Sequence, residues 1–264
     1  VLDATRSVLG VNSRIDRAIR LRWRGLLPPL PTFLLIGAPQ SGTRWLFLQL
    51  IRHPDVAVPR KEVRYFSDFP YRSLRWYGSF YKGLERTTAR GDMTPGYYRL
   101  TPEYIRLVKD LMPEARLLFL ARDPVERAWS AYRRLRPDGE PATLASVERI
   151  LTRERDRSAP GWIAGSEHGR YAAGVANWLE VFAREQLLVV PFDRIRTDPN
   201  GVVHDVLVHV GVDPARYPWE QLSRGKVNAN PPAPVPGDVR AYLSQHFAGE
   251  RDALATLLRR DPLW

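Results

Sequence analysis

An apolar run, Phe33 to Ile36, passes straight into Gly37-Ala38-Pro39-Gln40-Ser41-Gly42-Thr43-Arg44 and then into Trp45-Leu46-Phe47-Leu48-Gln49-Leu50. The first run reads as a buried strand and the last as an apolar helix. A strand, a glycine-bounded turn and a helix in that order commit this part of the chain to an α/β layout. They also form a phosphate cradle. Backbone N–H groups at a helix start converge on an anion, and glycines let the chain approach it closely. The same glycines also suit a plain tight turn, so the loop alone leaves both readings open.

What the loop lacks narrows the chemistry. A Walker A loop reads G-x-x-x-x-G-K-[ST], with lysine on the transferable phosphates and a hydroxyl on Mg²⁺. Gly37 and Gly42 have that spacing, but Thr43 occupies the lysine position and Arg44 the next. No clear metal-binding acid follows a later apolar strand. A nucleotide kinase or other P-loop NTPase is therefore the alternative rather than the leading reading.

The 264 residues are 44% hydrophobic, enough for one large α/β domain or a domain with a small appendage. Cysteine is absent, which excludes disulfides and thiolate metal sites and suits a reducing cytoplasm. The formal charge is +11, from 40 basic and 29 acidic side chains, and only Lys61, Lys82, Lys109 and Lys226 are lysines. Such a balance favours anionic ligands or acidic surfaces, although arginine richness also arises from codon bias. Nucleic acid is disfavoured as a partner, because no zinc spacing, recognition helix or RNP-like strand accompanies the charge. No apolar stretch approaches the ~18–20 residues of a membrane helix. No signal peptide is visible, and an upstream targeting segment stays open because the chain starts at Val1.

Residues 1–30 read as a basic amphipathic extension, with Val8, Val11, Ile15 and Ile19 at helical spacing among arginines, and 31–264 as the domain proper. Strands are expected at 33–36, 56–58, 88–92, 116–121 and 186–190. Helices are expected at 102–111, from 125 past 132, at 142–157, 171–184 and 201–211, and as one or two over 239–258. Residues 71–81 read as an aromatic loop and 158–169 as a mobile one. Strands separated by helices imply a single P-loop-like, doubly wound parallel sheet flanked by helices. Ligands of such sheets bind beyond the carboxyl ends of the strands. The loop at 37–44, Glu62, Asp92 and Arg122 all fall at such ends.

The second motif is Arg122-Asp123-Pro124-Val125-Glu126-Arg127-Ala128-Trp129-Ser130-Ala131-Tyr132. An arginine just beyond a strand and a serine two helical turns later can grip one phosphate from two sides. Taken alone, Arg122 could equally be a structural partner of Asp123. Together, in this order, the two motifs resemble the sulfotransferases that use 3′-phosphoadenosine 5′-phosphosulfate (PAPS). The likeness runs from about Phe33 to Trp264 and is nearest to the heparan sulfate and other carbohydrate sulfotransferases, as a bacterial-type member. Glu62-Val63-Arg64-Tyr65-Phe66 resembles that branch's E-x-H-F-F segment, and Trp76-Tyr77 and Thr94-Pro95-Gly96-Tyr97 resemble its W-Y and T-P-x-Y. Gly169-Arg170-Tyr171 through Trp178 follows the same pattern, and Arg224-Gly225-Lys226-Val227-Asn228 resembles its late basic loop.

The resemblance implies in-line transfer of a sulfuryl group from PAPS to an acceptor hydroxyl, with adenosine 3′,5′-bisphosphate (PAP) as product and no metal. It assigns donor binding to Pro39, Gln40, Ser41, Gly42, Thr43, Arg44, Arg122, Ser130, Tyr171, Arg224 and Lys226. Glu62 becomes the base, and Arg64, Trp76, Tyr77, Asp92 and Tyr97 face the acceptor. There are departures. Gln40 stands where the family usually has a lysine on the leaving oxygen, so Arg44 or Lys61 would supply the charge, or catalysis is weakened and the chain mainly binds the donor. Met93 replaces a frequent substrate lysine, and Arg64 a histidine, which points away from heparan sulfate. The expected acceptor is a small molecule, lipid or glycan, free or tethered to a carrier protein.

Overall fold

A computed structural model describes residues 28–152, 166–222 and 233–259. The amphipathic extension at 1–27, most of the expected loop at 158–169, and Arg224 and Lys226 lie outside the described residues. Five strands form one sheet: β1 (Phe33–Gly37), β2 (Val56–Ala57), β3 (Ala89–Met93), β4 (Arg116–Ala121) and β5 (Leu187–Pro191). Their spatial order is β2-β3-β1-β4-β5, and every pairing is parallel. The strands fall within a residue or so of where the apolar runs place them.

Helices connect them: α1 (Thr43–Leu50), α2 (Leu74–Ser79), α3 (Pro102–Leu111), α4 (Pro124–Leu135), α5 (Leu144–Thr152), α6 (Tyr171–Leu179), α7 (Arg194–Thr197), α8 (Pro199–His209), α9 (Gly237–His246) and α10 (Glu250–Leu258). Alternate strand residues feed opposite faces, as period-2 geometry requires. Leu34, Ile36, Leu117 and Phe119 pack with residues of α3, α6 and α10. Phe33, Leu35, Leu118 and Leu120 pack with residues of α1 and α8 on the other face. Covered on both sides, β1 and β4 are apolar almost throughout. A third cluster joins α4, α5 and α9 beside the sheet. Among the described residues, no helix is long and apolar enough to cross a membrane.

One segment departs from expectation. Residues 71–81 contain α2, because the Ser73 hydroxyl accepts a hydrogen bond from Trp76 N at 3.2 Å and caps it. Its aromatics then pack. Tyr77 stacks on Tyr65 with centroids 4.5 Å apart, and Trp76 meets Phe80 edge to face.

The chain crosses from the β3 side of β1 to the β4 side. The connections after β1 and β4 diverge there, and that is where an open sheet of this type has its crevice.

Candidate active site

The loop after β1 is shaped by its own backbone. Register with β4 slips between Leu35 and Gly37, and Ala38 N donates to Leu120 O at 3.0 Å, so the loop leaves above the end of β4. Gly42 is the N-cap of α1 with φ 84°, and a Cβ there would lie 2.6 Å from Ile195 Cδ1. The left-handed turn and the close approach of α7 both demand glycine. No side chain caps α1. Its first turn therefore presents backbone N–H groups that have no intrahelical acceptor. Pro39, Ser41 and Thr43 are buried around this turn, Gln40 is half-buried with φ 63°, and Arg44 is exposed.

Arg122 follows β4, and its guanidinium turns toward the loop. Its Nη1 donates to Gln40 O at 2.9 Å, and the group lies 4.5 Å from the centroid of Phe192, which follows β5. Asp123 does the capping instead: its carboxylate accepts from Val125 N at 2.7 Å and Glu126 N at 3.0 Å at the start of α4. Arg122 therefore bonds the loop after β1 while Asp123 caps α4. Ser130 is half-buried on α4, seven residues past Asp123 and so about 10 Å further along the helix.

Tyr171 joins the two motifs. Its hydroxyl donates to Arg122 O at 2.9 Å and also bonds Ser41 in the loop. Burial pushes this phenol well above its ordinary value, against the charges of Arg127 and Arg122, so it stays a neutral donor. Glu250 of α10 fixes it from behind, accepting from Tyr171 N at 2.8 Å and Ala172 N at 3.1 Å at the open end of α6.

On the other side of β1, the segment carrying Glu62 runs alongside the end of β3 through a parallel bridge between Lys61 and Met93. Glu62 and Arg64 both have φ 59°, a left-handed conformation that costs a non-glycine residue about 1–2 kcal/mol. Hydrogen bonds to the main chain hold it. Val63 N bonds the Asp92 carboxylate, Arg64 N donates to Thr94 Oγ1 at 3.1 Å, and Phe66 N to Tyr97 Oη at 3.4 Å. Asp92 is the hub, accepting from Tyr77 and Tyr97 at 2.9 Å each and from Thr94 at 2.7 Å. Burial pushes the Asp92 carboxyl up, and these bonds only partly oppose it.

Asp92, Tyr77 and Tyr97 were expected on the acceptor side, yet all three are fully buried. They lie beneath the Glu62 turn because the alternation of β3, the stacking of Tyr77 on Tyr65 and the 3-10 turn Tyr97–Arg99 after β3 carry them inward. Above them is a cleft of about 290 Å³ lined by Arg60, Lys61, Glu62, Arg64 and Phe69. Trp76 is half-buried behind Phe69, at 5.7 Å.

Glu62 Oε1 accepts from Lys61 Nζ at 3.3 Å and Oε2 from Arg64 Nη2 at 2.7 Å. Burial pushes its carboxyl up, but the Arg64 hydrogen bond and the two positive charges outweigh that and hold it below the usual value. Sequence reasoning missed Arg60, Phe69 and Phe192 as neighbours of the site, along with Glu250. Phe192, directly after an apolar strand, was the one with a readable signal.

Residues 82–216 match the sulfotransferase family. The chain belongs to that family.

Similarity extends further along it. A mouse bifunctional heparan sulfate N-deacetylase/N-sulfotransferase 4 is 27% identical over 271 aligned residues, covering 88% of this chain. The chain spans only 30% of that relative's length. Mouse heparan sulfate glucosamine 3-O-sulfotransferase 6 is 32% identical over 69% of this chain and 52% of its own length. The crystal structure of a sulfotransferase from Alicyclobacillus acidocaldarius superposes with a TM-score of 0.71 at 29% identity, covering 88% of this chain and 97% of that one. The parallel five-stranded sheet with flanking helices is thus a sulfotransferase fold.

Proposed function

We propose that this chain is a PAPS-dependent O-sulfotransferase. The observation that carries the reading is that the loop after β1, Arg122 after β4 and Glu62 beside the end of β3 stand at three adjacent strand ends. The loop after β1 offers its backbone amides to the 5′-phosphosulfate. Beyond β4, Arg122 and Ser130 serve the 3′-phosphate, with Tyr171 bracing the pair. Glu62, held beside β3, faces the acceptor. A donor of about the length of an adenosine bisphosphate would bridge the first two, leaving its sulfur toward the third.

In the transfer, Glu62 takes the acceptor's hydroxyl proton as that oxygen bonds to sulfur. The S–O bond to the 5′-phosphate breaks, and PAP leaves with the electron pair. Catalysis of this kind depends on positioning and on neutralising charge at the oxygens. Thr43 and the amides around it serve the transferring group, and Arg44 or Lys61 brings the positive charge that Gln40 lacks. Arg224 and Lys226 would add positive charge for the 3′-phosphate. The acceptor is a hydroxyl on a small molecule, lipid or glycan, free or carrier-tethered.

Transfer of label from [³⁵S]PAPS to an acceptor pool tests this. Glu62→Gln is expected to lower turnover by about 10²–10⁴-fold, the usual contribution of a general base. Full turnover in that variant would remove Glu62 from the mechanism. A second reading, a donor-binding protein with weakened catalysis, draws on the neutral Gln40 and the doubly paired Glu62. It predicts PAP binding with no label transferred.

A further inference from the structure

The cleft beside Glu62 has a composition that transfer to a hydroxyl does not by itself require. Arg60, Lys61 and Arg64 line it together with a single carboxylate, Glu62, and with Phe69. Asp68 stands on the other side of Arg64, at 3.4 Å. The aromatic wall continues behind Phe69. Trp76 is 5.7 Å from Phe69 and 5.1 Å from Phe80, and the Arg60 guanidinium lies 5.6 Å from the Phe80 centroid. Excess positive charge therefore adjoins an aromatic surface.

Both oxygens of Glu62 are engaged, one by Lys61 and one by Arg64. Each oxygen keeps a second lone pair for the acceptor's hydroxyl, but the short Arg64 bond lowers the basicity of Oε2, and releasing it makes Glu62 the stronger base. With a neutral acceptor, a guanidinium released from Glu62 would keep only Asp68, at 3.4 Å, as a carboxylate partner. An oxyanion on the acceptor would replace Glu62 in that role, exchanging one charge-assisted bond for another. Arg64 is suited to the exchange, because its planar fork already spans two carboxylates, Glu62 and Asp68.

We propose that the acceptor carries an oxyanion (a carboxylate, or a phosphate or sulfate ester) on an aromatic or apolar body. Arg64 passes from Glu62 to that group as the acceptor docks, which frees Glu62 for the hydroxyl proton. Arg64 is thereby the specificity-determining residue, and Phe69, the aromatic ring that lines the cleft and is backed by Trp76, takes the body. The proposal rests on the sulfuryl-transfer reading with Glu62 as base.

The test uses the full chain, first titrated to saturation with PAP. It is then titrated calorimetrically with 4-hydroxyphenylacetate, 4-hydroxyphenyl phosphate, the neutral 4-hydroxyphenylacetamide and a heparosan oligosaccharide. The two aryl anions are expected to bind about tenfold or more tightly than the amide, the yield of one charge-assisted bond. Arg64→Gln should erase that preference and Arg64→Lys restore part of it, with PAP affinity of each variant measured alongside. Equal binding of anion and amide, binding of neither, binding of the oligosaccharide alone, or a preference that survives Arg64→Gln would overturn the proposal. A chain that binds PAP but fails these arms loses only this proposal. A chain that binds no PAP loses the donor reading as well.

Discussion

Asp92→Asn probes the support under the Glu62 turn with almost no change in shape. Asp92 Oδ2 accepts from two buried phenols and Oδ1 from Thr94, while Val63 N bonds the same carboxylate. An amide can keep only one acceptor oxygen. Its least damaging orientation leaves the oxygen to the tyrosines and turns the NH₂ toward Thr94, whose hydroxyl must then find another acceptor. Bonds to a charged acceptor are worth about 1.5–3 kcal/mol against about 1 for neutral ones, while relief from burying a charge works the other way. The expected net cost is about 2–4 kcal/mol, or roughly 2–4 °C in Tm for each kcal/mol in a domain of this size.

The pH dependence gives the estimate a sign. The folded-state pKa of Asp92 is raised above 3.8, so its proton-linked stabilisation is full below that value and lost as pH rises through the folded pKa. The variant lacks this ionisation. The gap between wild type and Asp92→Asn should therefore be widest in acid and narrow toward neutral pH. Urea unfolding followed by tryptophan fluorescence, at several values between about pH 4 and pH 7, measures it. Label transfer should fall with stability, because the Arg64 N–Thr94 bond fixes the turn that carries Glu62. A variant within about 0.5 kcal/mol of wild type, at every pH and with undiminished transfer, would refute the hub.

Other consequences can be checked together. The acid limb of kcat/KM should lie below the usual glutamate range, because Arg64 and Lys61 hold the Glu62 carboxyl down; Arg64→Gln should move that limb upward, and a pH–rate profile reads the shift. Gly42→Ala places a methyl against Ile195 and Phe192 at φ 84°, so thermal denaturation should show a loss of about 1–3 kcal/mol, with weaker PAP binding.

How much was legible depended on what each segment's pattern encodes. β1 and β4 are apolar runs ended by turn residues, and both emerged at the expected places, together with the loop after β1 and Arg122 after β4. α2 hid because a six-residue helix holding Gly78 and two adjacent aromatics has no clear period, and only the Ser73 cap marks its start. Asp92, Tyr77 and Tyr97 read as polar groups near a strand end, which suits a cleft and a buried hydrogen-bonded hub equally. Sequence spacing cannot tell which way β3 turns them. Arg60 and Phe69 were invisible because the cleft is assembled by a fold-back of the segment after β2 onto β3. The link from Glu250 to Tyr171 joins residues 79 apart, with no local signal at either end.

The central claim is that one crevice receives a nucleotide phosphorylated at both its 5′ and 3′ positions. Titration calorimetry of PAP against adenosine 5′-monophosphate, each on wild type and Arg122→Ala without added metal, addresses it directly. Wild type should prefer PAP by at least about tenfold, a charge-assisted contact's worth, and the preference should collapse in the variant, the monophosphate weakening less than PAP because Arg122 also holds Gln40 O in the loop. Equal affinity for the two nucleotides, or a preference indifferent to Arg122, would contradict the account.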